Sequence, residues 1–168
     1  MLPSFLKALF FITIFNVPVW ADDLGAAQGE VLLTVSGAIE VTNADGVAQF
    51  DLAMLEALGN TVIDTSTIWT DGTQSFQGVP LNVLIDHLGI KGENLRAAAI
   101  NDYAVEIPTS DAVAGGPIIA YRLNGDLMSV RDKGPLWIVY PYDLDQEYRS
   151  EVIYSRSIWQ LDRIEALD

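Results

Sequence analysis

Apolar residues recur at helical spacing in two short segments of the chain. Residues 80–88 follow the i, i+3, i+4, i+7 pattern of one helix face, with Pro80 at the start and Gly89 directly after the last position. Proline is accommodated in the first turn of a helix, and glycine commonly ends one. Residues 50–58 carry a second apolar face, and Asp51 stands where a capping side chain is expected. The sequence therefore predicts two amphipathic helices.

The other apolar segments are short and rich in β-branched residues, which is typical of strands. Asn124-Gly125 between two of them predicts a type I′ hairpin. Residues 109–111 are suited to cap a further short helix that extends to Ala114. Many short strands with a few short helices predict an α+β fold with a mixed or antiparallel, β-rich sheet. The predicted strands are residues 31–35, 61–68, 95–100, 104–107, 117–123, 127–128, 136–140 and 157–164.

The first 21 residues have the layout of a secretory signal peptide. Lys7 precedes an apolar stretch that ends in Val19-Trp20-Ala21, with small residues at the −3 and −1 positions of a cleavage site. The stretch is short for a membrane span, although a membrane anchor is the alternative. We expect a signal peptide at residues 1–21, a disordered lead-in at 22–29 and one domain at 30–168.

Composition narrows the functional classes. The chain has 168 residues, a formal net charge of −14, one histidine and no cysteine. Because phosphate contacts require a basic face, this acidity argues against nucleic-acid binding. The lack of cysteine excludes disulfides and thiolate metal sites, and it suits a bacterial periplasm better than a disulfide-dense secretory compartment. We therefore expect an exported, periplasmic protein.

Cations and aromatic residues are concentrated in the last third of the chain. Arginine offers a rigid fork of donors to an anionic or planar partner, and aromatic side chains can stack on a flat heterocycle. The alternatives are surface ion pairs for the cations and core packing for the aromatics. The cations are Arg122, Arg131, Lys133, Arg149, Arg156 and Arg163, and the aromatics are Tyr103, Tyr121, Trp137, Tyr140, Tyr142, Tyr148, Tyr154 and Trp159.

Two polar turns add further candidates. Trp69 lies in the polar loop Trp69-Thr70-Asp71-Gly72, where a core role is less natural than a role in ligand binding. Asp102 lies between two predicted strands, and its carboxylate could accept hydrogen bonds from an amino-substituted ring. The alternative for Asp102 is a simple turn-forming role.

Several segments, in this order and spacing, resemble the oxidoreductase molybdopterin-binding domain, the fold of the sulfite oxidase superfamily. They are Phe-Gln-Gly-Val-Pro-Leu at residues 76–81, Asn-Asp-Tyr-Ala-Val-Glu-Ile-Pro at 101–108, the hairpin at 120–128, Lys-Gly-Pro-Leu-Trp-Ile-Val-Tyr-Pro at 133–141 and Ser-Arg-Ser-Ile-Trp-Gln-Leu at 155–161. The resemblance covers most of the chain after the predicted signal peptide, and it implies a sulfite-oxidase-type fold.

The family's enzymes hold molybdenum through one cysteine thiolate, located just after the strand that precedes the Gly-Val-Pro-Leu segment. The corresponding stretch here, residues 64–67, reads Asp-Thr-Ser-Thr. A hydroxyl is a poor substitute for a soft thiolate at this metal. The resemblance therefore implies a pterin-binding cleft without the redox activity. The missing cysteine ligand favours a binding protein over an enzyme, with no metal site and no catalytic residues.

The chain also resembles a cysteine-less, exported subgroup of this fold. Its members are implicated in binding pterins in the periplasm without molybdenum and in regulating membrane-bound enzymes of cyclic di-GMP metabolism through their periplasmic domains. The resemblance implies the same ligand and the same kind of partner here, with a role in signalling and biofilm control. The implied pterin-binding residues are Thr65, Ser66, Trp69, Asp102, Tyr103, Arg131, Lys133, Tyr140, Arg156 and Trp159.

Within this hypothesis, the ring stacks on Trp69 or Trp159, and Asp102 binds its 2-amino and N3–H edge. Arg131, Lys133 or Arg156 meets the ligand's oxygens. The alternative is a molybdopterin-dependent oxidoreductase subunit with a non-cysteine metal environment. A third hypothesis is an interaction protein whose cleft no longer binds a ligand.

Overall fold

The computed structural model describes residues 24–168, so the predicted signal peptide at 1–21 lies outside the described residues. Strands and three short α-helices alternate along the chain. The strands are β1 (Leu33–Gly37), β2 (Ala48–Phe50), β3 (Thr61–Ser66), β4 (Thr73–Pro80), β5 (Asn94–Ala99), β6 (Ala104–Pro108), β7 (Ile118–Leu123), β8 (Asp126–Leu127), β9 (Leu136–Val139) and β10 (Trp159–Leu167). The helices are α1 (Leu52–Leu58), α2 (Leu81–Leu88) and α3 (Glu151–Arg156). The predicted α+β class is confirmed.

The ten described strands form one mixed sheet in the order β2-β1-β10-β9-β7-β4-β3, and β5, β6 and β8 branch from this path. All pairs are antiparallel except β1–β10, where Thr34 lies opposite Arg163. Strand β10 pairs with β1, β5 and β9, and its register shifts between Trp159 and Leu161. This irregular start of β10 borders the candidate site.

Both predicted amphipathic helices are confirmed, with shifts of a residue or two at their ends. The Asp51 carboxylate accepts a hydrogen bond from the Met54 N–H at 2.9 Å and so caps α1, as expected. The same carboxylate accepts the N–H groups of Gln28 and Gly29, both at 2.8 Å. The part of the predicted disordered lead-in that the structure describes, residues 24–29, is therefore bonded to the domain.

Helix α2 ends at Gly89, which adopts a left-handed φ of 65°. The predicted Asn124-Gly125 hairpin is also confirmed, because both residues have the positive φ that a type I′ turn requires. Strand β3 ends at Ser66, two residues before the predicted boundary.

Three elements were not predicted, and one prediction was wrong. Strands β2 and β4 and helix α3 are absent from the sequence-based assignment. The helix expected to start at residues 109–111 is only a 3₁₀ turn, Thr109–Asp111. The Thr109 hydroxyl caps nothing there, because it donates to the carbonyls of Gly92 and Glu93 at 3.0 and 3.2 Å.

Aromatic side chains are the largest residues in the core of the domain. Its largest fully buried side chains are Trp137, Tyr121, Tyr140, Tyr142, Phe50 and Phe76. The core interpretation of Trp137 is confirmed. Within residues 24–168, no helix is long and apolar enough to cross a membrane.

Candidate functional site

An aromatic cluster lies where the β3–β4 loop meets the start of β10. The Trp69 ring contacts Trp137, Tyr154 and Trp159 edge-on, with centroid separations of 5.8, 5.7 and 5.5 Å. Tyr142 completes the contacts of Trp69 at 6.4 Å. Edge-to-face pairs at these distances are favourable. Trp69 is thus packed against the core on one side, although the loop around it is polar in sequence.

The outer side of this cluster forms a cavity of about 330 Å³. Ligand-binding clefts for small molecules usually begin near this size and have mostly apolar walls. Tyr103 and Trp159 remain 58% and 37% exposed, so the cavity is open to solvent. We call it the aromatic cavity, and its lining residues are Trp69, Ala99, Asn101, Tyr103, Tyr154, Ser155, Ser157, Ile158, Trp159 and Gln160.

Lys133 brings a positive charge to the indole rings beside this cavity. Its Nζ lies 5.7 Å from the ring centroid of Trp159 and 5.6 Å from that of Trp137, which is cation–π distance. The residue holds a left-handed φ of 73° at the end of the 3₁₀ turn Val130–Asp132. Arg131 is exposed on that turn and does not line the aromatic cavity.

Gln160 connects the loops around the cavity, and the sequence analysis did not nominate it. It has a left-handed φ of 52° within β10. Its N–H donates to the Lys133 carbonyl at 2.9 Å, its carbonyl accepts the Ile100 N–H at 3.0 Å, and its side-chain amide donates to the Val130 carbonyl at 2.8 Å. Positive φ in a non-glycine residue is often retained at functional sites. The one signal in the sequence was a glutamine inside an apolar strand pattern.

Asp102 lies next to the aromatic cavity but outside its wall. It has a left-handed φ of 67°, in agreement with the turn-forming alternative. One oxygen accepts a hydrogen bond from Arg163 Nη2 at 2.7 Å, and the side chain is 89% exposed. The same Arg163 nitrogen donates to the Ala99 carbonyl at 3.1 Å. The neighbouring Asn101, which was not nominated, is the residue of this turn that joins Tyr103 in the wall.

Thr65 and Ser66 are bonded to Asp143 and do not line the aromatic cavity. The buried Thr65 hydroxyl accepts the Asp143 N–H at 3.1 Å. The Ser66 N–H and hydroxyl donate to the Asp143 carboxylate at 2.6 and 2.7 Å, and Arg149 Nη2 donates to it at 2.6 Å. These bonds to Ser66, and then Arg149, hold the pKa of Asp143 below its ordinary value.

This arrangement tests whether the residues at 64–67 suit the molybdenum that the fold family implies. No thiolate exists anywhere in the sequence. The Thr65 and Ser66 hydroxyls are already engaged by backbone and carboxylate partners, and a neutral hydroxyl is a weak ligand for a soft site. The residues present therefore do not fit a thiolate-type molybdenum centre.

Tyr140 and Arg156 meet on Asp111, another residue that the sequence analysis did not nominate. The Tyr140 hydroxyl donates to Asp111 Oδ2 at 2.8 Å, and Arg156 Nη1 donates to the same oxygen at 2.9 Å. Burial, followed by the hydrogen bond to Asp111, raises the pKa of Tyr140. Neither Tyr140 nor Arg156 lines the aromatic cavity.

The structure thus divides the ten nominated residues into groups. Trp69, Tyr103 and Trp159 line one cavity, and Lys133 lies against its edge. Among the other lining residues, Asn101, Tyr154 and Gln160 were not nominated. The remaining nominated residues are Thr65, Ser66, Asp102, Arg131, Tyr140 and Arg156, which lie outside the wall.

The fold is similar to that of the sulfane dehydrogenase SoxCD from Paracoccus pantotrophus. The match has a TM-score of 0.60 and 18% sequence identity, and it covers 81% of this chain and 38% of that chain. The chain therefore spans well under half the length of this relative. At this identity the likeness shows the fold alone, and it supports the expected molybdopterin-binding oxidoreductase-like fold. No protein-family model and no curated protein matches the chain.

Proposed function

We propose that this chain binds a pterin, without molybdenum, in the aromatic cavity. The carrying observation is a cavity of about 330 Å³ between Trp69, Tyr103 and Trp159, open to solvent and flanked by the Lys133 ammonium. A flat bicyclic ring matches such walls because it can stack one face on an aromatic side chain while its edge meets another ring. The fold supports a pterin-related ligand, since it resembles that of a molybdopterin-binding oxidoreductase.

Polar groups among the lining residues fit the edges of such a ring. Asn101 and Ser155 offer an amide and a hydroxyl among the lining residues. Asn101 Oδ1 accepts the Tyr103 N–H at 3.2 Å, which leaves its amide N–H₂ free to donate to a ring carbonyl or nitrogen. Lys133 would meet ligand oxygens at the Trp159 side. Asp102 could contact the amino edge only in addition to its bond with Arg163.

We further propose that the protein is exported to the periplasm and acts there as a ligand-responsive partner of a membrane-bound cyclic di-GMP enzyme. The N-terminal sequence pattern and the resemblance described above support this role. Such regulation requires that the ligand favour one conformation or one complex. Gln160 could transmit ligand binding, because it lines the aromatic cavity and its backbone is hydrogen-bonded to Ile100 and Lys133 in two other loops.

A binding experiment tests the ligand. The chain would be expressed with residues 1–21 in place, purified from bacterial periplasm, analysed for bound pterin by mass spectrometry and titrated with biopterin by calorimetry. Trp159→Ala should weaken binding at least about fivefold, because stacking of a base on an aromatic side chain contributes about 1–3 kcal/mol. Leu144→Ala is the control, since Leu144 is 73% exposed and lies outside the aromatic cavity.

Absence of pterin after purification together with no biopterin binding would refute the ligand assignment. Equal affinities for wild type and Trp159→Ala would refute its location. Stoichiometric molybdenum in protein made by a cofactor-competent host would instead support the oxidoreductase alternative. For the regulatory role, cells lacking the gene should change their cyclic di-GMP level, and wild type but not Trp159→Ala should restore it.

A further inference from the structure

A second cavity, of about 430 Å³, is lined by Ile100 and Val130, two residues that are hydrogen-bonded to Gln160. Its walls come from residues 30–32, the β5–β6 turn at Ile100, the hairpin and loop at 127–130, and Asp162 on β10. Within the described part of the chain, its charged lining residues are Glu30 and Asp162, and neither is basic. We call it the Asp162 cavity.

The Asp162 carboxylate is incompletely paired. Its Oδ1 is buried and has no hydrogen-bond partner among the described residues. Its Oδ2 accepts one bond from Arg163 Nη1 at 3.2 Å. Arg163 also serves Asp102 at 2.7 Å, so one guanidinium is shared between two carboxylates. The Asp162 side chain is 30% exposed and lines the cavity, so its accessible part can meet a ligand. A ligand ammonium there adds a charge-assisted partner to a carboxylate that has one long bond.

The cavity's mouth is apolar. Val31, Ile100, Leu127 and Val130 remain between 38% and 53% exposed, although each is a large hydrophobic residue. Exposed apolar residues grouped around a concavity are typical of a binding site. Apolar walls that include the acidic Asp162 are complementary to a molecule that has a hydrocarbon body and one cationic group.

We propose that the Asp162 cavity binds a small organic cation, with an ammonium group against the Asp162 carboxylate and a hydrocarbon body packed on Ile100, Leu127 and Val130. Burial raises the pKa of Asp162, which agrees with a carboxylate that lacks sufficient partners in the free protein. The site is separate from the aromatic cavity, so it does not depend on pterin binding. The two cavities share no lining residue.

Titrations with n-hexylamine and n-hexanol, followed by NMR chemical shifts, test this site, because the two probes share a hydrocarbon body and differ in charge. We expect hexylammonium to bind about tenfold more tightly than hexanol, a difference of about 1.4 kcal/mol. Asp162→Asn should remove this preference and leave hexanol binding unchanged. Asp64→Asn, which removes the same charge from an exposed position on β3, should keep the preference.

Leu127→Lys provides a second variant that leaves Asp162 in place. Leu127 is 53% exposed, so a lysine there adds a charge at the mouth without disturbing the core, and it should abolish hexylammonium binding. Equal affinities for the two probes would overturn the proposal. So would equal losses in Asp162→Asn and Asp64→Asn, because they would show only a general attraction of cations to an acidic protein. Biopterin affinity, measured in parallel, should be unchanged in Asp162→Asn.

Discussion

Replacing Asp111 tests whether Tyr140 and Arg156 belong to a structural network. Asp111 and Arg156 are 15% and 23% exposed, and Tyr140 is fully buried. Tyr140→Phe removes one hydrogen bond to a charged acceptor and should cost about 2 kcal/mol of the free energy of unfolding. Asp111→Ala should cost about 3 kcal/mol, because it leaves the buried Tyr140 hydroxyl without a partner and also removes the ion pair.

The two changes should be strongly coupled. In the Asp111→Ala background, Tyr140→Phe removes an unpaired buried hydroxyl and should be neutral or slightly stabilising, which gives a coupling energy of about 2 kcal/mol. Urea unfolding, followed by tryptophan fluorescence, gives the free energy of unfolding of the wild type, the two single variants and the double variant. The four curves should share one slope of this free energy against urea concentration. If Tyr140→Phe costs the same with and without Asp111, the network is not coupled and the reasoning fails. Biopterin affinity should be unchanged in Tyr140→Phe, since Tyr140 does not line the aromatic cavity.

Three further predictions concern stability. Gly78→Ala should cost about 2 to 3 kcal/mol in urea unfolding, because a Cβ there would lie 2.1 Å from the Ile119 carbonyl oxygen. The pKa of Asp143 in the folded protein lies below its ordinary 3.8, so the stabilisation that Asp143 gains from Ser66 is present above pH 3.8 and is lost as the pH falls through the folded-state pKa. Asp143→Asn should therefore make the free energy of unfolding depend less on pH in this acidic range. Gln160→Gly should be about 1 kcal/mol more stable than Gln160→Ala, because alanine is strained at φ 52°.

Local sequence patterns were sufficient to predict the elements that are stabilised by interactions between neighbouring residues. Helix α2 has an apolar face and a glycine stop, and the hairpin at Asn124-Gly125 has a turn that fixes its own geometry. Strand β4 was missed because Gly78 and Pro80 are unfavourable in strands and its first residues are polar. Its pairing with β3 and β7 on both sides overrides these preferences. A short stretch of sequence does not indicate which distant strands will pair with it.

In the candidate site, too, features set by the local sequence were predicted and features set by tertiary contacts were missed. Trp69 was recognised because a tryptophan in a polar loop is unusual, and the structure places it in the cavity wall. Arg156 was nominated for its charge and position, but charge does not reveal a partner. Its partner Asp111 lies distant in sequence and meets it only through the fold. Gln160 was missed because its contribution is a backbone conformation, which its residue type does not indicate.

The position of β10 in the sheet has a consequence for how the domain forms during synthesis. This strand contacts β1, β5 and β9, and it pairs Arg163 with Thr34 near the beginning of the domain. Contacts between residues so distant in the chain slow folding, because a large loop must close before they form. A ribosome releases β10 after all nine other strands, so the sheet stays open along β1 and β9 until then. Such a delay would keep the chain unfolded for translocation across a membrane, the route that its proposed export requires.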